Sequence, residues 1–135
     1  AEALKENDVI HAYIVHSDDG MDEISPFAKT NIVELKDGII KEFIIDPKNL
    51  GINYSDKENL KGKNAKYNSE KIVEIYKGKT NEFSESVALN TAAGLIVSGQ
   101  EKDFKIAFEK ATIHLSKGHV YQHLAKIQST KWQIF

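Results

Sequence analysis

The first block of apolar positions is nearly continuous: Val9-Ile10-His11-Ala12-Tyr13-Ile14-Val15 is apolar, β-branched and aromatic, and polar Ser17-Asp18-Asp19-Gly20 closes it. Such a run predicts a buried strand, Val9 to Val15, covered on both faces as in a parallel sheet. The loop from Ser17 to Glu23 then lies just past its carboxyl end, where ligands gather in α/β folds. Two more strand-like runs, between Asn31 and Ile45, flank Asp37-Gly38, a dipeptide whose tolerance of positive φ predicts a β-hairpin. A two-residue turn sets Lys36 opposite Ile39, Leu35 opposite Ile40 and Glu34 opposite Lys41, the last a favourable cross-strand charge pair.

Helical signals dominate the remainder of the chain. Asp46-Pro47 reads as a cap followed by proline at the first helical position, with Gly51 ending a short turn. Asn53 to Lys66 is polar and reads as a surface connection. Asn68 or Ser69 can cap a helix carrying Ile72, Val73, Ile75 and Tyr76, closed by Gly78. Ser84 to Ser98 is apolar on nearly every side, which predicts a largely buried helix. Within it Gly94 would admit a close neighbour, and Gly99 would end it. Asp103 caps a long amphipathic helix with Phe104, Ala107, Phe108, Ala111 and Leu115 on one stripe, and Gly118 bends or interrupts it. Thr130 to Phe135 carries no assignment. The pattern is α/β with an added hairpin, and without repeats or a linker we expect one domain over residues 1–135.

Composition narrows the chemistry. With 41% hydrophobic and 28% charged residues, and no apolar run of spanning length, the chain reads as a cytoplasmic protein without a membrane segment or secretion signal. It has no cysteine, which removes thiolate zinc sites and cysteine nucleophiles. All 18 basic residues are lysine, so no guanidinium fork is available for phosphate or carboxylate. Net charge is −2 and the lysines are scattered among acids, an unsuitable footprint for nucleic acid.

The segment Val15-His16-Ser17-Asp18-Asp19-Gly20-Met21-Asp22-Glu23-Ile24-Ser25 places four carboxylates around a glycine directly after the first strand. Magnesium prefers carboxylate oxygen, keeps several waters and borrows ligands from substrate phosphate, so two adjacent acids suffice. Acidic loops with glycine also serve as solvated turns and helix caps, and spacing alone does not separate the two. His119 and His123, four apart on a helix, could face a metal together, but a third ligand and the glutamate of an HExxH pattern are missing. They read as structural or solvated. His11 and His16 point to opposite faces of a strand. Trp132 and the aromatic tail read as packing or a contact surface, and Gly62-Lys63 and Gly78-Lys79 as turns.

The acidic segment, with Thr30 to Gly38 after it, resembles the stretch of anthranilate phosphoribosyltransferases that contains Asp-Gly-Leu-Asp-Glu-Ile-Ser. Asp46-Pro47 to Gly51, and Leu89-Asn90-Thr91-Ala92-Ala93-Gly94-Leu95-Ile96-Val97-Ser98-Gly99, resemble later stretches of the same family, and order and spacing agree from about Val9 to Lys126. The resemblance implies the C-terminal portion of a phosphoribosyltransferase-type α/β domain, mainly parallel sheet with an added hairpin and flanking helices. It also implies a magnesium-binding pair at Asp22 and Glu23, with phosphoribosyl pyrophosphate and anthranilate as substrates. Apolar surface and strand edges that the family's upstream segment would cover are expected to drive association into a homo-oligomer. Two departures stand out: Ser17 replaces the family's usual glycine, and Pro26-Phe27-Ala28-Lys29 replaces a stretch with Thr and Gly. The family's glycine-rich pyrophosphate loop, the basic segment after it and the arginine that contacts anthranilate lie earlier in its chain, so this sequence is expected to be inactive alone. The other readings are a non-catalytic relative that binds a nucleotide, nucleic acid or protein partner, and a pyrimidine nucleoside phosphorylase fragment.

Overall fold

The computed structural model describes residues 1–54 and 56–130. A short helix α1 (Glu2–Glu6), which the hydrophobic pattern does not signal, precedes strands β1 (His11–Ser17), β2 (Thr30–Lys36) and β3 (Ile39–Ile45). Helices α2 (Ala65–Tyr76), α3 (Glu82–Val97), α4 (Phe104–Ser116) and α5 (His119–Ser129) follow.

The hairpin forms in the expected register, with Glu34 opposite Lys41, Leu35 opposite Ile40 and Lys36 opposite Ile39. Asp37 and Gly38 turn it with φ of 50° and 76°, the two positive values that a type I′ turn needs. The expected parallel sheet is not what these strands build. They lie in the order β1-β2-β3 and both pairings are antiparallel, with Ser17 opposite Thr30 and His11 opposite Lys36. β1 also starts later than Val9, and among the described residues it is an edge strand. Tyr13 and Val15 pack on the core while Ile14 and His16 are exposed. β-branched and aromatic residues suit any pleated surface, so an apolar run does not encode strand direction. Direction is decided by the loop 18–29, which brings the chain straight back beside β1.

Asp46 caps the turn Pro47–Leu50 by accepting from the Lys48 amide, and Gly51 ends it at φ 82°. α2 starts earlier than expected because Asn64, rather than Asn68 or Ser69, accepts from the Tyr67 amide. Asn68 instead accepts from the Lys63 amide. α3 likewise starts at Glu82, where Asn81 and Ser84 form a reciprocal capping box. Asp103 caps α4 through the Ile106 amide, and Gly118, at φ 70°, divides the long amphipathic stretch into α4 and α5.

The main core lies between the sheet, α3 and α4. It gathers Ile24, Ile32 and Ile45 with Ala88, Leu89 and Ala92 of α3 and Ala107, Phe108 and Leu115 of α4. Each fully buried Leu or Ile contributes roughly 1.5–3 kcal/mol. Ile96 is buried and Leu95 partly so, as a core helix requires. Gly94 departs from expectation: a Cβ built there meets nothing within 4 Å, so no neighbour approaches it.

Two glycine substitutions should therefore separate in urea denaturation. Gly94→Ala should stabilise by about 0.5–1 kcal/mol, the helix-propensity gain at an open position. Gly78→Ala should destabilise by about 2 kcal/mol or more, because φ is +103° and the new Cβ would lie 2.5 Å from the Ser116 carbonyl oxygen. Equal effects at the two positions would contradict the packing of α2 against α4.

Candidate metal centre in the loop after β1

The loop that follows β1 is closed by hydrogen bonds at its base. The Ser17 amide donates to the Met21 carbonyl, the Asp18 amide to the Lys29 carbonyl and the Gly20 amide to the Ser17 carbonyl. The buried Ser17 hydroxyl donates to the Glu23 carbonyl at 2.9 Å and lies 2.5 Å from the Thr30 hydroxyl. Asn90 reaches in from α3: its side-chain oxygen accepts from the Ile24 amide at 3.0 Å, and its amide group donates to the Ile24 carbonyl at 3.1 Å. Ile24 itself is fully buried, so the loop is anchored by an apolar residue and by polar contacts at once.

This framework divides the four carboxylates. Asp18 accepts from the Asn31 side chain. Asp19, with 7% of its side chain exposed, accepts from the Ser25 hydroxyl at 2.8 Å and pairs with Lys57 at 3.0 Å. Burial pushes the Asp19 carboxyl upward, but the Ser25 and Lys57 hydrogen bonds outweigh it and hold the group below the ordinary carboxylate range. Asp22 and Glu23 are exposed, and among the described residues neither side chain has a hydrogen-bond or ion-pair partner. Internal contacts thus occupy two acids and leave adjacent Asp22 and Glu23 facing water with their oxygens available. That donor set fits a hard cation that takes its other ligands from solvent and phosphate.

The histidines assemble differently from the expected helical pair. His119 meets His114 of the preceding helix, with the two Nδ1 atoms 3.3 Å apart, rather than sharing a site with His123. His11 Nε2 donates a 2.9 Å hydrogen bond to the Glu34 carboxylate, and His16 is exposed on the opposite face of β1. No group of three or more His, Asp or Glu side chains converges on a metal position among the described residues. Trp132 and the tail to Phe135 lie outside the described residues. Asn90 and Lys57 were not singled out as site residues by sequence reasoning. The signal for Asn90 was a lone amide in the stretch of small and apolar side chains that follows Glu85 in α3.

Residues 1–121 of this α/β chain, which carry the exposed acidic pair beyond β1, match the glycosyl transferase family, a/b domain. The chain belongs to that family. It is similar to the anthranilate phosphoribosyltransferases of Pelagibacter ubique, at 49% identity over 96% of this chain and 39% of the relative, and of Caldanaerobacter subterraneus subsp. tengcongensis, at 39% identity over 94% and 38%. Among solved structures it resembles anthranilate phosphoribosyltransferase from Thermus thermophilus, with a TM-score of 0.76 at 25% identity over 86% of this chain and 34% of that one. The Saccharomyces cerevisiae enzyme, solved in complex with phosphoribosyl pyrophosphate and magnesium, shares the fold with a TM-score of 0.74 at 23% identity, over 85% of this chain and 33% of that one. The chain spans about two fifths of the length of the curated relatives it matches. No helix among the described residues is long and apolar enough to cross a membrane.

The lowered Asp19 carboxyl carries a pH signature. A group held below its unfolded value stabilises the fold fully above the ordinary carboxylate range, and that contribution disappears as pH falls through the folded value. Asp19→Asn should therefore cost about 1.5–3 kcal/mol at neutral pH, the range for hydrogen bonds to a charged group. The gap between the variant and the parent should close in acid. Denaturant titrations between neutral pH and the acid limb check this, and a gap that widened in acid would contradict it.

Proposed function

We propose that this chain is part of an anthranilate phosphoribosyltransferase and supplies the carboxylate pair, Asp22 and Glu23, that holds magnesium against the pyrophosphate of phosphoribosyl pyrophosphate. The carrying observation is the division of the acidic loop, which leaves these two carboxylates exposed while Asp18 and Asp19 are occupied. The family match and the names of the relatives supply the substrates. We read residues 1–135 as one portion of the family's larger α/β domain.

In the reaction the amine of anthranilate forms a bond to the anomeric carbon of the sugar. The bond to pyrophosphate breaks, pyrophosphate leaves with the electron pair, and the amine gives up a proton. Positive charge builds on the sugar and negative charge on the leaving group, so neutralisation and positioning can supply much of the catalysis without an enzyme nucleophile. Bound magnesium would provide that neutralisation. Asp22 and Glu23 would hold it, while Ser17, Thr30 and Asn90 keep the loop in place and Lys57 fixes Asp19. A cytoplasmic setting belongs to this reading, since a sugar bearing phosphate and pyrophosphate does not cross a bilayer unaided.

A homo-oligomer also belongs to it. Ile10 is 73% exposed and Ile39 and Ile44 are each 59% exposed, and β1 and β3 have open edges among the described residues. Apolar patches and open edges seek partners. Light scattering of the chain should give species above 15.2 kDa. A strictly monomeric mass at high concentration would count against association.

The chain alone should transfer no phosphoribosyl group, and adding the remaining part of the enzyme, fused or separate, should restore magnesium-dependent loss of anthranilate fluorescence. In that complete enzyme Asp22→Asn or Glu23→Gln should lower the rate about tenfold or more, equivalent to about 1.4 kcal/mol in the barrier. Thermal unfolding should barely move, since exposed substitutions shift stability by about 0.5 kcal/mol at most. If both substitutions leave the rate and its magnesium dependence unchanged, the assignment of the pair is wrong.

A further inference from the structure

We infer that Ser17 is a positioning residue for the acidic pair, one that works together with Asn90 on a single peptide plane; the inference rests on the reading of Asp22 and Glu23 as magnesium ligands. The Glu23 carbonyl and the Ile24 amide belong to the same peptide unit. The carbonyl end accepts from the Ser17 hydroxyl at 2.9 Å, and the amide end donates to the Asn90 side-chain oxygen at 3.0 Å. One partner comes from the end of β1 and the other from the middle of α3. With both ends held from different elements the plane cannot rotate, and the direction in which the Glu23 side chain leaves the backbone is set.

The Ser17 hydroxyl is itself held in place. Its proton is committed to Glu23, so the Thr30 hydroxyl at 2.5 Å must donate to it, from the residue directly opposite on β2. The Ser25 amide is shared between the Ser17 and Thr30 oxygens, each at 3.2 Å. Ser17, Ser25 and Thr30 are fully buried, so water cannot replace these bonds. The carboxylates stay outside in water while the backbone that carries them is locked inside. The resembling family usually has glycine at this position, which offers no hydroxyl. Serine therefore adds a latch that a glycine-bearing relative must do without, and preorganised ligands bind at lower entropic cost.

Two readouts test this. In the chain by itself, without metal, Ser17→Ala and Ser17→Gly should speed amide hydrogen exchange at Ile24 and Ser25 and leave the core Leu89 amide unchanged. A merely structural role would speed all three together. In the complete enzyme the same variants should raise the magnesium concentration for half-maximal rate about three- to tenfold, the weight of one hydrogen bond, without changing the KM for anthranilate. Ser17→Gly keeps the test open if Ser17→Ala does not fold, because the backbone there suits glycine in the resembling family. Asp22→Asn is the control. If Asp22→Asn leaves the magnesium dependence unmoved, the metal reading fails and the inference falls with it. If Asp22→Asn shifts the dependence but neither Ser17 variant does, or if exchange at Ile24 is unaltered, the Ser17 inference alone is overturned.

Discussion

The apolar positions of α3 have to be covered, and the rest of the fold is arranged around covering them. Ala88, Leu89 and Ala92 are almost completely removed from water, and the sheet and α4 are the surfaces that remove them. Small buried residues on both helices, Ala88 and Ala92 of α3 and Ala107 and Ala111 of α4, let the two pack closely, while Leu89 and Phe108 fill the remaining volume. Other features depend on this contact. Ile32 and Ile45 of the strands share one buried cluster with α3, and the loop after β1 adds Ile24 to it.

α3 also carries an amide that reaches the acidic loop. Asn90 sits beside Leu89, so the packing that buries the leucine aims the amide at Ile24, and the bond to the Ser86 carbonyl keeps it there. The stability of the core and the geometry of the loop are thus coupled through neighbouring residues on one helix. A buried polar contact of this sort is costly when half-made and specific when complete, which ties the loop to a single arrangement.

The four acids of the loop look alike along the chain and differ sharply in space. Asp19 is enclosed and neutralised by Lys57, a residue from a polar connection far along the sequence. Asp18 is turned toward Asn31 on β2. With Asp19 paired to Lys57, the like-charge repulsion that four free carboxylates would suffer is reduced, and Asp22 and Glu23 stand together in water. A cation bound to them would complete the same electrostatic arrangement.

Local chemistry made much of this legible in the sequence. The Asp37-Gly38 turn, its register, the caps at Asp46 and Asp103, the break at Gly118 and the apolar character of α3 each depend on residues within a few positions of one another, and each was readable without a structure. The family resemblance was legible too. Cap positions were displaced where a second asparagine competed, as Asn64 did with Asn68. What only the tertiary structure decided are relations between distant segments: the antiparallel direction of β1, the open side of Gly94, the meeting of His114 with His119, the capture of Asp19 by Lys57 and the hold of Ser17 and Asn90 on one peptide. An apolar run states that a strand will form but not how deeply it is buried or which way its neighbour runs, and a carboxylate carries no mark of whether a lysine will reach it. Those outcomes are set by where the chain returns in space, because burial and charge pairing act on whatever is adjacent, however far apart it stands in sequence.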